Sequence, residues 1–477
     1  MSDSWALGLL MFAIPAAGWA LLCLLRCRIT SVPLGWALAV AAGFAAIALS
    51  SYLPFVATGS VTFWPALAVV AGGAVWTLGR AIGNWRRSAA LLRNPFWVGL
   101  AVLGVVLVFC ARTAPFWGYD AKAIYGIKAK ALLHERNLEG PIFQDSDVIH
   151  YHADYPLGLP LIMAFSGWVT AGDPEDPTGA EPALTIAGWL RRHGSVSAYS
   201  SVACLWILGL LGFVVHWARE WTSGRVPIIA LSAIALPIAV VFPWVGGRSW
   251  SLEGADMPLA LTLGACAFLL LENLRTANRG ALVAGVGLAA AAMLLKSEAS
   301  IALGTLLAAA ALCHGPRKLW RPALAVVLGA GLAGLVAASL AATTAGAPFD
   351  EHYVAALADM DMARLTQRVP LLLQSTRSVL EKREMLPYWV FVLCVAVPWC
   401  LRFGGTTRVW ALWVLGHLFA TLALFLVTPN SVTWHVTTAL PRLWCHVAVP
   451  ASAIVVCTVA SAWSQLVRVA EPPARPS

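Results

Sequence analysis

The sequence predicts an all-α fold, a polytopic bundle of transmembrane helices. Of its 477 residues, 60% are hydrophobic and only 12% are charged, whereas a soluble globular domain carries about 25% charged residues. The apolar residues form long uncharged runs, and about 20 such residues span the hydrocarbon core of a bilayer. Together these observations exclude a soluble enzyme, a disordered chain and a nucleic-acid-binding domain.

The apolar runs predict about thirteen spanning helices. A further apolar stretch, residues 156–170, is shorter and rich in proline and glycine. We expect this stretch to re-enter the membrane or lie at its surface rather than cross it. The predicted spans are residues 5–25, 34–53, 61–78, 95–111, 195–215, 226–242, 257–271, 281–295, 300–313, 322–342, 386–400, 409–427 and 441–462.

Charge asymmetry predicts the orientation. With the N-terminus outside, the cytoplasmic connections hold 17 of the 32 basic residues but only three of the 23 acids. Basic residues near helix ends favour the cytoplasmic side, so we expect the C-terminus there. The 17 basic residues are Arg26, Arg28, Arg80, Arg86, Arg87, Arg93, Arg219, Arg225, Arg275, Arg279, Arg317, Lys318, Arg321, Arg402, Arg408, Arg468 and Arg475.

Two long outer loops organise the chain, and both are expected to carry amphipathic helices. Residues 1–94 form an N-terminal three-helix addition, and residues 95–343 form the core with the first outer loop, 113–194. Residues 344–385 are the second outer loop, with amphipathic stretches near 351–365 and 367–382, and residues 386–477 hold the last helices and the tail. Loops of this length are usually functional.

The first outer loop begins with a helical pattern at residues 117–133. Asp120 stands at its start, close to the bilayer boundary, where a helix N-terminus orients a carboxylate. A carboxylate in this position can serve as a general base while the neighbouring Lys122 and Lys128 hold an anion. The alternative is a plain amphipathic helix on the membrane surface, with Lys130 on its polar side.

A second polar group follows in the same loop. Asp154 precedes the half-buried apolar stretch, so it faces the same space as Asp120, with His152 and Tyr155 beside it. Together with His150, this group offers a metal site as one interpretation and an ordinary polar loop as the other. The ten cysteines lack zinc-type spacing, so we expect no cofactor, and a divalent metal has no further support.

Charged residues also interrupt the apolar part of the chain. A short turn carries Arg248, Glu253 and Asp256, and Lys296 with Glu298 breaks about thirty apolar residues. Ionisable residues at membrane depth cost about 3 kcal/mol each, which makes them functional candidates. The structural alternatives are a helix-cap turn with ion pairs and a self-neutralising Lys–Glu pair.

The last polar group precedes the final predicted helix. Arg442 follows Pro441 at the expected helix start, where the dipole favours anion capture, and His435 lies shortly before it. The neighbouring tryptophans also fit an aromatic belt without function. Under the predicted topology all five groups open on the outer side, which favours one cavity with carboxylates for proton transfer and cations for a phosphate.

These motifs, in this order, resemble multi-spanning bacterial glycosyltransferases of the GT-C superfamily, such as protein O-mannosyltransferases and aminoarabinose transferases. The resemblance rests on GYDAKAIYGIKAK at 118–130, HADYPL at 152–157, EGADMPL at 253–259, LKSEA at 295–299 and LPRL at 440–443. It implies a GT-C-like fold in a bacterial inner membrane. It also implies inverting transfer of a hexose from a polyprenyl-phosphate donor to a cell-envelope acceptor on the outer face, the acceptor being a glycan, lipid or protein.

The resemblance also implies roles for individual residues. Asp120 would be the catalytic base, with Asp154 and Asp256 as further carboxylates near the reaction centre. Lys296, Arg442 and Arg248 would bind the donor phosphate. The remaining candidate substrate contacts are Lys122, Lys128, His152, Tyr155, Glu253, Glu298 and His435.

Two other functions remain as alternatives. A secondary transporter would use Asp256, Lys296 and Glu298 to carry protons or ions, with sites near the bilayer midplane and internal repeats. No such repeat is apparent in the sequence. A non-catalytic envelope assembly protein would need none of these groups for chemistry.

Overall fold

The computed structural model is helical throughout the residues it describes. These are residues 3–86, 89, 93–113, 121–144, 155–171, 195–221, 255–341, 358, 360–382, 385–402 and 404–470. Within these ranges there is no strand. The all-α prediction is therefore confirmed for the described part of the chain.

Most helices follow the predicted apolar runs. They are α1 (Asp3–Leu24), α2 (Val32–Thr58), α3 (Trp64–Gly83), α4 (Pro95–Thr113), α5 (Ile127–Glu135, continuing a π-helix at Ala121–Gly126), α6 (Gly158–Ala171), α7 (Ser195–Trp221), α8 (Asp256–Thr276), α9 (Arg279–Leu295), α10 (Ala299–His314), α11 (Pro316–Ala341), α12 (Met362–Lys382), α13 (Leu386–Arg402, with a π-helical middle), α14 (Thr406–Val427), α15 (Val432–Cys445) and α16 (Ala448–Ala470).

The described helices identify a multi-pass membrane protein. Seven of them are long and apolar enough to cross a membrane, or up to nine if each of two bent pairs forms one span. Helices α9 and α10 have only 17 and 16 residues. The predicted span at 226–242 lies outside the described residues, so thirteen spans stay a prediction.

The two ends of the bundle differ in character. At one end, Asn278 donates a side-chain hydrogen bond to the Arg26 carbonyl (3.1 Å), and Ser31 Oγ lies 2.9 Å from His216 Nδ1. These contacts join the α1–α2 connection, the α8–α9 turn and the end of α7. We call this the basic end, because Arg275 lies here too.

The first-loop helices pack at the opposite end. The Leu157 amide donates to the Tyr52 hydroxyl at 2.7 Å, and the Val61 amide donates to the Arg136 carbonyl. Helix α6 has 14 residues and is therefore about 21 Å long, too short to cross the 30 Å hydrocarbon core alone. This length agrees with the expectation that residues 156–170 do not form a full span.

The lysines of the first loop are buried, which corrects one interpretation. All residues from Ile124 to Leu133 are buried, and Lys128 and Lys130 are each only 2% exposed. A plain amphipathic helix on the membrane surface is therefore wrong for this part of the loop. Lys128 Nζ instead donates to the Tyr155 carbonyl at 3.2 Å, so the charged group points into the protein.

The final predicted helix is not a single helix beginning at Pro441. Residues 441–445 belong to α15, with Pro441 inside it, and the axis bends by 62° between α15 and α16. Arg442 therefore lies in the last turn of a helix instead of the first. There the negative end of the helix dipole favours a cation, so dipole-assisted anion capture at Arg442 is wrong.

The second outer loop ends in the amphipathic helix α12. It includes the predicted stretch 367–382, whereas most of the predicted stretch 351–365 lies outside the described residues. Arg368 Nη1 donates to the carbonyls of Leu426 (2.7 Å) and Thr428 (2.6 Å) at the end of α14. A cation is favoured at this helix C-terminus, and the contact holds α12 across the end of α14.

Candidate functional site

A single carboxylate joins three segments at the end of the bundle opposite the basic end. Asp256, the first residue of α8, accepts from Lys296 Nζ at 2.7 Å through Oδ1. His446 Nε2 lies 3.0 Å from the same oxygen, and Arg442 Nε lies 3.2 Å from Oδ2. Both oxygens of Asp256 are therefore engaged by cationic or N–H donors.

A second carboxylate completes this group. Glu298 Oε1 lies 3.2 Å from Lys296 Nζ, so the lysine bridges two acids. We call Asp256, Lys296, Glu298, Arg442 and His446 the Asp256 cluster. The self-neutralising Lys–Glu pair thus exists, but it is part of a larger network that reaches α8 and α15. The formal charges of the two acids, the lysine and the arginine cancel.

Local backbone geometry explains how distant residues meet. Helices α8 and α9 form an antiparallel hairpin, which places the first residue of α8 beside the residue that follows α9. Lys296 is that residue, with extended backbone (φ −163°, ψ 135°) as the C-cap of α9. A tight turn follows, in which the Ala299 amide donates to the Lys296 carbonyl at 3.1 Å. Glu298 then stands at the N-cap of α10.

Burial gives the cluster an inner and an outer layer. Lys296 and His446 have side chains 1% and 0% exposed, whereas those of Asp256 and Arg442 are 16% and that of Glu298 is 22% exposed. Burial opposes ionisation of Glu298, but Lys296, His446, the backbone N–H of Glu298 and Arg442 together outweigh it and hold the pKa of this carboxyl below its ordinary value. The accessible layer therefore presents charged groups that can bind a polar or anionic ligand.

Tyr125 faces this layer from the first loop. Its side chain is 1% exposed, and its hydroxyl has no hydrogen-bond partner among the described residues. Asp256, Glu298 and Arg442 all act on it electrostatically. Burial raises the pKa of Tyr125 well above its ordinary value, so the hydroxyl keeps its proton and can donate. An unsatisfied buried hydroxyl costs about 1–3 kcal/mol, which a ligand acceptor would offset.

Two further predicted contacts border the cluster. His435 is buried and its Nδ1 lies 2.7 Å from Thr428 Oγ1, within electrostatic range of Glu298. The Tyr155 ring lies 6.2 Å from the Tyr125 ring, centroid to centroid. Because the Thr428 carbonyl also accepts from Arg368, His435 connects the cluster to α12.

The predicted site residues fall into three groups. Asp256, Lys296, Glu298 and Arg442 meet in one cluster, and Tyr155 and His435 lie at its border. Lys128 is bound to the Tyr155 carbonyl, and Lys122 belongs to the described backbone without a described side chain. Asp120, His152, Asp154, Arg248 and Glu253 lie outside the described residues. In the described ranges no group of three or more His, Cys, Asp or Glu side chains is arranged so that it could hold a metal ion.

The sequence interpretation missed His446 and Tyr125 as site residues. His446 interrupts an apolar run, and an ionisable residue in such a run is a functional candidate by default. That signal was available and would have identified His446. Tyr125 belongs to the motif at 118–130, but nothing in its sequence context distinguishes it from other buried tyrosines.

Comparison of the chain with protein-family models, with curated proteins and with solved structures found no match. The resemblance to GT-C glycosyltransferases therefore rests on the motif residues alone.

Proposed function

We propose that the protein is a membrane glycosyltransferase that moves a sugar from a polyprenyl-phosphate donor to an acceptor at the outer membrane face. The observation that carries this proposal is the Asp256 cluster. Residues from α8, α15, the α9–α10 turn and the α15–α16 break converge at one end of an apolar bundle. Ion pairs that only served the packing of individual helices would have no reason to converge.

The cluster suits a lipid phosphate. Arg442 contributes a guanidinium, whose planar fork matches phosphate oxygens, and its side chain is partly exposed. Lys296 is buried and held by two carboxylates. Lys296 therefore positions the carboxylates and adds positive potential, while Arg442 contacts the donor phosphate. Negative charge growing on the phosphate leaving group would be stabilised by these cations.

The contacts of Asp256 favour a positioning role. A carboxylate that accepts from three donors is a poor proton acceptor, because protonation would break those bonds. Asp120 stays the predicted base, with Asp154 as the second loop carboxylate. A base is needed because the acceptor hydroxyl is a weak nucleophile until its proton is taken during attack on the anomeric carbon.

Tyr125 is assigned to the substrate in this proposal. Its buried hydroxyl faces the charged layer without a described partner. A donor phosphate oxygen or a sugar hydroxyl would accept its proton in a hydrogen bond. This role predicts that loss of the hydroxyl weakens catalysis without weakening the fold.

The test is transfer by the purified protein from a panel of radiolabelled polyprenyl-phosphate hexoses to a cell-envelope extract that supplies the acceptor hydroxyl. We expect release of polyprenyl phosphate with one donor, loss of that activity in Asp120→Asn, and about a tenfold reduction in Tyr125→Phe, the value of one hydrogen bond. Glu220→Gln is the matched control, because this carboxylate lies beside Arg275 at the basic end. Wild-type rates in Asp120→Asn would contradict its role as the base.

The same preparation distinguishes the alternatives. A transporter would move a labelled solute into proteoliposomes without cleaving any donor, and an assembly protein would do neither. Lys296 caps the end of α9 instead of standing in mid-helix, which supports a site near one membrane surface over a midplane site. If no donor in the panel is turned over and a solute is taken up, the transporter alternative replaces the proposed function.

A further inference from the structure

The exposed face of α15 differs from a surface that faces lipid. Within α15 the exposed residues are Thr433, Trp434, Thr437 and Thr438, so all but the tryptophan carry a hydroxyl. The residues exposed on α11 between positions 322 and 335 are instead leucine, valine or glycine, as expected where polar side chains are costly in hydrocarbon. The face of α15 therefore suits a polar ligand better than acyl chains.

This face leads directly to the Asp256 cluster. Trp434, Thr438 and Arg442 stand four residues apart in sequence, so they form one stripe along α15. With a rise of about 1.5 Å per residue, Thr438 stands about 6 Å and Trp434 about 12 Å from Arg442 along the helix axis. Because Arg442 is the residue assigned to the donor phosphate, a ligand bound along this stripe would occupy a continuation of the same site.

Trp434 and the two threonines offer the contacts that a sugar requires. Trp434 is 52% exposed, so its ring is open to a ligand. The C–H face of a hexose packs on an aromatic ring, while the hydroxyls at its edge need hydrogen-bond partners. Thr437 Oγ1 donates to the Thr433 carbonyl at 2.6 Å, and Thr438 Oγ1 donates to the Trp434 carbonyl at 3.0 Å. With their protons directed to the backbone, both oxygens can accept from sugar hydroxyls.

Neighbouring helices hold this face in position. The other side of α15 is buried, including His435 and Leu440. Ser375 Oγ of α12 donates to Thr433 Oγ1 at 3.2 Å, so α12 borders the exposed face on the side of Thr433. A surface that is already formed before the ligand arrives loses little conformational entropy on binding.

We propose that Trp434, Thr437 and Thr438 form a sugar platform that binds the acceptor, and that the acceptor is a glycan. This inference rests on the proposed function and deepens it, because that function leaves the acceptor open between a glycan, a lipid and a protein. The donor hexose is bonded directly to the phosphate at Arg442, whereas Trp434 lies about two helical turns away. The platform therefore suits a sugar of the acceptor chain instead of the donor hexose.

The bond formed in the transfer reaction tests the acceptor class. The purified protein transfers a radiolabelled hexose to the cell-envelope extract, and the product is cleaved by partial acid hydrolysis. We expect the label in a disaccharide, in which the transferred hexose is linked to another sugar. Label linked to an amino-acid hydroxyl or to a lipid alcohol overturns the inference and leaves the proposed function standing. Absence of transfer from every donor contradicts both.

Variants of the platform test the role of the ring. With the glycan fraction released from the same extract as acceptor, Trp434→Ala should raise the acceptor KM about tenfold. Trp434→Phe should recover part of this loss, because it keeps an aromatic ring. Thr438→Val has a similar shape without the hydroxyl and should raise the acceptor KM about threefold. The donor KM should change little in each variant, because the platform does not contact the donor phosphate.

Trp463→Ala is the matched control. Trp463 is similarly exposed, at 57%, but stands in the second half of α16, away from the Asp256 cluster. Its acceptor KM should equal that of the wild type. An unchanged acceptor KM in Trp434→Ala, or an equal rise in Trp463→Ala, overturns the sugar platform and assigns Trp434 to an aromatic belt.

Discussion

Asp256 has polar contacts with three other side chains of its cluster, and one carboxylate organises three segments. Removing it leaves the fully buried Lys296 with Glu298 as its remaining described carboxylate partner. Breaking a buried pair on one side is costly because a charge stays without compensation, whereas removing both charges together costs much less. The role of Asp256 is therefore structural as well as electrostatic.

Asp256→Asn is expected to destabilise the protein by about 3–5 kcal/mol, measured as the free energy of unfolding in detergent. The double variant with Lys296→Met should recover part of this loss, since the two residues share one ion pair. Strictly additive effects would show that the 2.7 Å contact contributes nothing to stability.

Lys130 predicts a pH dependence of stability. Burial lowers its pKa from 10.5 to about 8, so between these values the unfolded chain binds more protons and stability rises with pH. Lys130→Met should therefore stabilise the protein most near pH 7, and its advantage should shrink as the pH approaches about 10.

Thermal unfolding midpoints of both proteins across this range provide the measurement. Lys318→Met serves as the control, because Lys318 is exposed and should leave the profile unchanged. A constant difference between the wild type and Lys130→Met at all pH values would contradict the assignment.

At the residue scale, the charged candidate residues could be predicted from the sequence, but their contacts with one another could not. Lys296, Glu298, Asp256 and Arg442 could be identified because ionisable residues stand out in apolar sequence. Their mutual distances depend on how α8, the α9–α10 turn and α15 pack, which no local pattern encodes. The burial of Lys128 and Lys130 could not be foreseen for the same reason, since a lysine-rich helix normally faces water.

At the element scale, α6 reaches the cluster through a close contact with α9. A Cβ added at Gly158, the first residue of α6, would collide with the Leu294 carbonyl and lie 2.7 Å from its carbon. Real side chains essentially never approach backbone so closely, so one helix must shift. Leu294 lies two residues before Lys296, and the shift would be passed on to the cluster.

Gly158→Ala is therefore expected to destabilise the protein by about 1–3 kcal/mol, the usual cost of overpacking, and to reduce donor turnover. Gly287→Ala on α9 is the control, because nothing lies within 4 Å of the added Cβ and alanine favours a helix. Both are assayed by thermal unfolding and by transfer. Equal behaviour of the two variants would show that α6 does not position the Lys296 turn.

The break between α15 and α16 shows the limit of prediction for an element. Apolar periodicity predicts a helix through residues 441–462, and Pro441 suggests its start because proline is favoured in a first turn. The structure places Pro441 inside α15 and bends the chain after Cys445. Contacts of His446 and Arg442 with Asp256 accompany this bend, and such tertiary contacts are not visible in the periodicity.

At the scale of the whole molecule, the basic end and the Asp256 cluster lie at opposite ends of the bundle. The positive-inside rule then predicts that the cluster lies on the outer side of the membrane. Thr58 is exposed at the end of α2 on the cluster side, and Thr406 is exposed at the start of α14 on the other.

Thr58→Cys is expected to react with a membrane-impermeant maleimide in intact cells, and Thr406→Cys only after permeabilisation. The unsubstituted protein gives the background from native cysteines. The reverse pattern would place the cluster in the cytoplasm and contradict the predicted orientation.

The class of the molecule was the most predictable feature, because composition and run length suffice for it. The number of membrane spans was less predictable from the sequence. Helices α9 and α10 are apolar, yet at 17 and 16 residues each is shorter than a typical span, and hydropathy alone does not say whether such helices cross.

The shortness of α9 and α10 has a consequence for how a lipid meets the site. A helix of 17 residues covers about 25 Å, less than the average hydrocarbon thickness, and a bilayer adapts to a short segment by thinning beside it. If α9 and α10 cross the membrane, the turn with Lys296 and Glu298 would lie level with this thinned part of the bilayer. A prenyl chain diffusing in that leaflet would bring its phosphate to Arg442 by lateral approach, while its tail stays in the hydrocarbon core of the bilayer.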